Sequence, residues 1–296
     1  MGRHGKNLNR NKLVEKYSIN KNRYYNRDKI FKEKWKGVIM INLEKAEKNF
    51  KDYLKDYDLN NGNIKLKIKH TYEVMKKSEY ISKGLNLNKE DIDLSKLIAL
   101  LHDIGRFEQV KQTNDFIDST GFEHANYGVK VLFEENLIRK FIDNDKYDNI
   151  IKKAIYNHNK YKIEDNLSEK EILHCKIIRD ADKLDNFRVK ETEEFKNIFP
   201  SKYNPDTINY ESISPKVYED IMNHKCIKLD DRQTQIDFWI CVIGFIFDLN
   251  FNISKQYIKE KGYIDILIDR IEYKNKETKE KMEQIRKCAK QYLEEE

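Results

Sequence analysis

Turn-forming residues are scarce in this chain of 296 residues, which has 3 prolines and 10 glycines. All three prolines (Pro200, Pro205, Pro215) fall in one short stretch, and no glycine lies between Gly128 and Gly244. An all-β sandwich or barrel needs turn residues every ~8–12 positions, so the chain is a poor candidate for either. Cysteine is also sparse. Cys175, Cys226, Cys241 and Cys288 are far apart and form no CxxC pair. That argues against a zinc ribbon and against a disulfide framework. They read as core thiols in a reducing cytosol, so a cytoplasmic protein is expected. A long apolar run is missing too. The longest, Phe238 to Phe247, is about half of what a membrane span requires, so a buried helix is expected there and no membrane span.

Apolar residues make up 39% of the chain, including 14 Phe and 18 Tyr, enough to build a sizeable core and to exclude wholesale disorder. The charge of +6 is uneven. Residues 1–40 hold 12 Lys/Arg against 3 Asp/Glu, whereas the other 256 residues carry a net −3. The basic character therefore belongs to the first segment. It reads as a solvated tail, as a translated leader ahead of a start at Met40, or as an arm that binds nucleic acid by charge. It has no apolar stretch of the kind a secretory signal carries. A nucleic-acid role is open only to residues 1–40.

Helical spacing dominates the chain from residue 42 onward. Leu43, Ala46, Phe50 and Leu54 predict a helix within 42–58, and Asn60, Asn61 and Gly62 a break. A second helix is predicted over 64–85, stopped near Gly84, and a third over 89–104, ended by Gly105. The polar stretch 107–122 reads as a long loop. Helical spacing resumes at His124 and again over 148–159. Ser168 and Glu171 form a capping box at the start of a helix running to about 188. The organisation expected is a basic polar tail at 1–40, a catalytic core at 41–198, a proline-bearing loop at 199–216 and C-terminal helices at 217–296. The last segment, 274–296, alternates charges and reads as an exposed helix. The fold class expected is all-α.

Five of the seven histidines lie between His70 and His174, each on a predicted helix. The centre is Leu100-Leu101-His102-Asp103-Ile104-Gly105-Arg106. Burying an imidazole and a carboxylate at the end of an apolar helix costs several kcal/mol unless they are paired or bind a metal. Asp180, Asp182 and Asp185 crowd a helix beside Ile177, Ile178 and Leu184. Carboxylates beside an apolar stripe repel one another unless a cation neutralises them. His174, Asp182 and Asn186 share one helical face. Imidazole and carboxylate donors drawn from several helices suit Mn, Fe, Co, Ni or Zn.

The order His70, His102-Asp103, then Asp182 within RDADKLDN resembles the HD superfamily of metal-dependent phosphohydrolases. LLHDIGR, followed by EHANYG and YNH, is similar to the HD subgroup with two extra histidines. The resemblance covers roughly residues 64–190 and implies an HD-domain helical bundle with a C-terminal helical extension. It implies that His70, His102, Asp103 and Asp182 hold a metal, that Asp103 can bridge two ions, and that His124 and His158 serve the second. Asp180 rivals Asp182, but Ala181-Asp182-Lys183-Leu184 fits the family's segment better, leaving Asp180 and Asp185 as supporting or solvent-facing groups. One or two divalent ions (Mn, Fe, Co, Ni, Zn or Mg) are the cofactor implied.

The activity implied is hydrolysis of a phosphate mono- or diester in a small phosphorylated substrate. Asp103 and Asp182 would position the attacking water, and Arg106 and Lys183 are candidate phosphate clamps. Asn186 is a candidate substrate contact and Glu108 a candidate proton shuttle. His174 is expected to be packed, and His4 and His224 to lie at the surface. Two other readings stay open. One is a di-iron, O₂-dependent oxygenase on the same fold, and the other a non-catalytic metal-binding module with a nucleic-acid-binding arm.

Overall fold

The structure, a computed structural model, describes residues 41–116, 118, 122–199 and 204–295. The readings placed on residues 1–40, and on Pro200, lie outside the described residues. Among those described there are helices and no strand, so the fold class is all-α as expected. No described helix is long and apolar enough to cross a membrane.

Helix α1 (Leu43–Tyr53) starts where the Asn42 side chain accepts from the Lys45 amide, and it buries Ala46 and Phe50. Asn61 caps α2 (Gly62–Gly84) in the same way, accepting from the amides of Asn63 and Ile64. Helix α3 (Lys89–Leu101) is the central element. Leu94, Leu97, Ile98, Ala99, Leu100 and Leu101 have no exposed surface. The stretch Leu97–Leu101, apolar on all sides, must lie inside the bundle, and α3 packs on α2.

The predicted end of this helix and the loop after it need correction. Helix α3 stops at Leu101, His102 and Asp103 make a turn, and α4 (Ile104–Thr113) begins at once. Gly105 therefore lies inside a helix. A Cβ there would sit 2.2 Å from the His124 carbonyl oxygen and 2.9 Å from the Gly128 nitrogen. Only a bare backbone lets α4 approach α5 (His124–Val129) so closely. The polar look of 107–113 misled because half of it faces outward. Ile104, Phe107 and Val110 are buried, and Gln109 is buried with its amide hydrogen-bonded. Helix α5 runs into a π-helical turn, Lys130–Glu134. Then come α6 (Ile138–Phe141) and α7 (Asp148–Asn157).

The capping box at Ser168 and Glu171 is present, and α8 (Glu169–Thr192) follows it. This helix packs on both α2 and α7. Beyond it lie α9 (Phe195–Ile198), α10 (Pro215–Met222), α11 (Gln235–Ile240), α12 (Asn252–Lys261), α13 (Tyr263–Asp269) and α14 (Lys276–Glu294). The apolar run read as one buried helix is divided between α11 and a 3-10 segment, Ile243–Asp248. Helix α14 also departs from expectation. Thr278, Met282, Ile285, Ala289 and Leu293 are buried, a stripe spaced by three and four residues. Charges alternate along its outer faces, and the stripe packs on α10 and α13. The buried apolar side chains join into one cluster from Ile41 to Leu293.

Candidate metal centre

Five segments converge on one carboxylate. His70 comes from the middle of α2, and His102 and Asp103 from the α3–α4 turn. His124 opens α5, His158 follows the last residue of α7, and Asp182 comes from α8. All four histidines and Asp103 are buried. Asp103 Oδ2 lies 3.7 Å from His70 Nε2 and 3.6 Å from His102 Nε2. Its other oxygen, Oδ1, lies 3.4 Å from His124 Nε2 and 3.6 Å from His158 Nε2. Asp182 Oδ1 is 3.1 Å from His70 Nε2. Asp103 thus offers one oxygen to each of two imidazole pairs.

The far side of every ring is tied down. His102 Nδ1 donates to the Ala99 carbonyl and His158 Nδ1 to the Ile155 carbonyl, both at 2.7 Å. His70 Nδ1 meets Asp185 at 2.6 Å, and His124 Nδ1 meets Asp118 at 2.8 Å. A carbonyl or a carboxylate accepts, so each Nδ1 carries a hydrogen, and in its neutral form each ring presents a lone pair at Nε2. Four lone pairs and the oxygens of two carboxylates then face one another. His124 Nε2 and His158 Nε2 stand 3.0 Å apart, two acceptors in contact. The Nε2 atoms of His70 and His102 are buried with no hydrogen bond.

Such an arrangement is repulsive unless cations lie among the donors. Two ligand atoms each ~2.1 Å from one ion sit about 3.0–3.5 Å apart, close to the separations seen. Two groups have ligand atoms within 4.8 Å of one another: His70, His102 and Asp103, and Asp103, His124 and His158. The residues present fit one or two divalent ions.

The protonation states agree at two of the four rings, His102 and His124, whereas at His70 the neighbouring carboxylates favour the charged ring, which must release a proton to bind a metal. Burial pushes His102 down to about 4. Burial, with the Arg106 charge, pushes His124 down to about 3. Both are neutral at pH 7, as ligands must be. Burial opposes a charge on His70 as well, but Asp182 and Asp185 outweigh it and raise that pKa. Burial works against the Asp103 carboxylate, yet Lys67 and His102 hold it well below the usual carboxylate range. Asp182 and Asp185 are lowered against burial, both chiefly by His70.

Other singled-out residues fall in several places. The Arg106 Nη1 donates to the Phe116 carbonyl at 2.8 Å and to Asp118 at 3.0 Å. It fastens the residues after α4 and the carboxylate behind His124. Lys183 pairs with Asp248 at 2.9 Å. Asp180 accepts from the Asn250 and Phe251 amides, so it is taken by the chain beyond the 3-10 segment, while Asp182 meets His70. Asn186 donates to Asp182 at 3.0 Å. His174 is packed, as expected, against Ser95 and Asp91. Glu108 accepts from Gln112, and His224 stacks on Phe247. His4 lies outside the described residues.

Asp185, expected to be a supporting or solvent-facing group, is supporting: it has no exposed surface and is held by Lys77 at 3.0 Å and Arg188 at 2.6 Å. Other supporting groups were missed by sequence reasoning. Asp118 sits in the stretch read as a loop and carries no local signal. Arg179 donates to the Asn157 carbonyl at 3.0 Å and fixes the end of α7 beside His158. Lys67 reaches Asp103 at 2.7 Å. Its position one helical turn before His70 was a readable signal.

Residues 68–186 match the HD domain family. That span takes in His70, His102, Asp103, His124, His158 and Asp182. No curated protein and no solved structure matches the chain.

Proposed function

We propose that the protein is a metal-dependent phosphohydrolase of the six-ligand HD type, cleaving a mono- or diester of a small phosphorylated substrate. The observation that carries this reading is the convergence of four imidazole lone pairs on the two oxygens of Asp103. The HD match supports it, because that superfamily is largely one of metal-dependent phosphohydrolases.

His70, His102, Asp103 and Asp182 would hold one ion and Asp103, His124 and His158 the second, drawn from Mn, Fe, Co, Ni, Zn or Mg. Such ions, when bound, polarise a phosphoryl oxygen and make water acidic enough to supply hydroxide near neutral pH. The chain's own part is orientation. The Ala99 and Ile155 carbonyls and the Asp118 and Asp185 carboxylates fix the four rings, which spares reorganisation during reaction. Asp103 and Asp182 would align the attacking water, with Asp182 steadied by Asn186. Arg106 acts through Asp118 on His124, because its guanidinium is engaged there. Lys183, engaged by Asp248, would have to leave that pair to act as a clamp.

The test is metal analysis of the purified full chain together with a screen of phosphate mono- and diesters. Phosphate release that depends on added divalent metal and disappears in Asp103→Ala is expected. Two irons per chain, with O₂ uptake and no phosphate release, would refute hydrolysis in favour of oxygenase chemistry.

A further inference from the structure

Two cations flank Asp103, one at each oxygen. Lys67 Nζ is 2.7 Å from Oδ2, the oxygen that faces His70 and His102. Arg106 Nε is 3.7 Å from Oδ1, the oxygen that faces His124 and His158. Their freedom differs. Arg106 is anchored through Nη1 to the Phe116 carbonyl, Gln109 and Asp118, and it holds part of the site together. Lys67 ends a flexible four-carbon stem, and its side chain retains 16% exposure against 3% for Asp103. Its ammonium also lies 5.1 Å from the centre of the Phe116 ring, so a resting place over an aromatic face is within reach if Asp103 lets go.

We infer that Lys67 is a displaceable counter-ion of the metal centre: its ammonium and the ion held by His70 and His102 compete for Asp103 Oδ2, so loading that half-site drives Lys67 off the carboxylate toward the Phe116 side. The inference rests on the metal-centre reading above. Lys67 thereby neutralises a buried carboxylate that burial alone would penalise. It also weakens the first half-site relative to its bare donor set and leaves the second unaffected. The two half-sites are then unequal by construction, because Arg106 cannot withdraw without releasing Asp118 and His124.

The experiment is titration of the full chain with Mn²⁺ against a fluorescent chelator. Lys67→Met should tighten one of the two Mn²⁺ binding steps about tenfold relative to the parent, since a close like-charged competitor is removed from the half-site of His70 and His102. Lys67→Arg should stay within about threefold of the parent, because the charge is kept. Affinity that is unchanged or weaker at both steps in Lys67→Met, with an unaltered thermal melt, overturns the inference. A second measurement needs no variant. Acetylation of Lys67 by an amine-reactive reagent, read by peptide mass spectrometry, should rise when Mn²⁺ is added, and no rise overturns the inference. A parent chain that binds no divalent ion at all would instead sink the metal-centre reading.

Discussion

Asp103 serves two imidazole pairs with one carboxylate, so its loss cannot be local. Asp103→Ala should remove binding at both half-sites, and metal analysis should find less than about one-tenth of the parent's divalent metal. Asp185 acts one bond further out. It fixes the His70 ring and is itself gripped by Lys77 and Arg188. Asp185→Asn should weaken binding by about ten- to a hundredfold. Chelator competition measures this, and affinity within twofold of the parent would show that His70 needs no such support. At this scale much could be read in the chain. His70, His102, Asp103, His124, His158 and Asp182 stand in the order the HD resemblance implies, and the structure brings them together. What could not be read are the partners fixed by tertiary contact. The resemblance favours Asp182 over Asp180 in RDADKLDN, but what occupies Asp180 is Asn250, seventy positions away, and no local pattern shows that.

Helices defined by caps and apolar spacing were legible: Ser168 and Glu171 start α8 where expected. The α3–α4 junction was not, because the break falls inside an apolar run and α4 hides its buried face among polar residues. Gly105 was read as a stop signal, yet its role is close approach. Gly105→Ala would press a methyl group onto the His124 carbonyl and should cost about 1–3 kcal/mol. A melting temperature lowered by less than a degree would argue that α5 can shift aside. If α5 moves, affinity for the second ion should fall as well, since His124 opens that helix.

The whole molecule carries a pH signature set by its buried imidazoles. Burial holds His102 down to about 4 and His124 down to about 3, against an unfolded value near ~6.5. Below that value the unfolded chain takes up protons that the folded chain refuses. Their contribution is fully present above pH ~6.5 and is lost as pH falls toward the folded values. His70, whose pKa is raised, works the other way and favours the folded state as pH falls. Two depressed rings against one should still lower the melting temperature of chelator-treated protein between pH 7 and 5, and a flat profile would contradict neutral His102 and His124. Ligand binding to the native state raises stability by about 2.7 kcal/mol at a hundredfold excess over Kd. Added metal should thus raise the melting temperature at pH 7. The all-α class was legible because turn residues were so few. The burial of one face of α14 was less so, since alternating charges hid the stripe at Met282, Ile285 and Ala289.

His102 and His158 share a position that bears on the order of events. Each stands at the C-terminal cap of its helix, α3 or α7, and donates to a carbonyl of the last turn. A helix presents about half a negative charge at that end. The N-termini of α4 and α5, at Asp103 and His124, carry the opposite charge and offset those two ends. It is therefore the two carboxylates and the imidazole lone pairs that make the pocket hostile to anions, while Lys67 and Arg106 are already engaged by acidic partners. A phosphate ester should therefore be the second guest and never the first. In equilibrium dialysis, inorganic phosphate should bind chelator-treated protein about tenfold or more weakly than metal-loaded protein. Equal binding would mean that the anion is received somewhere else.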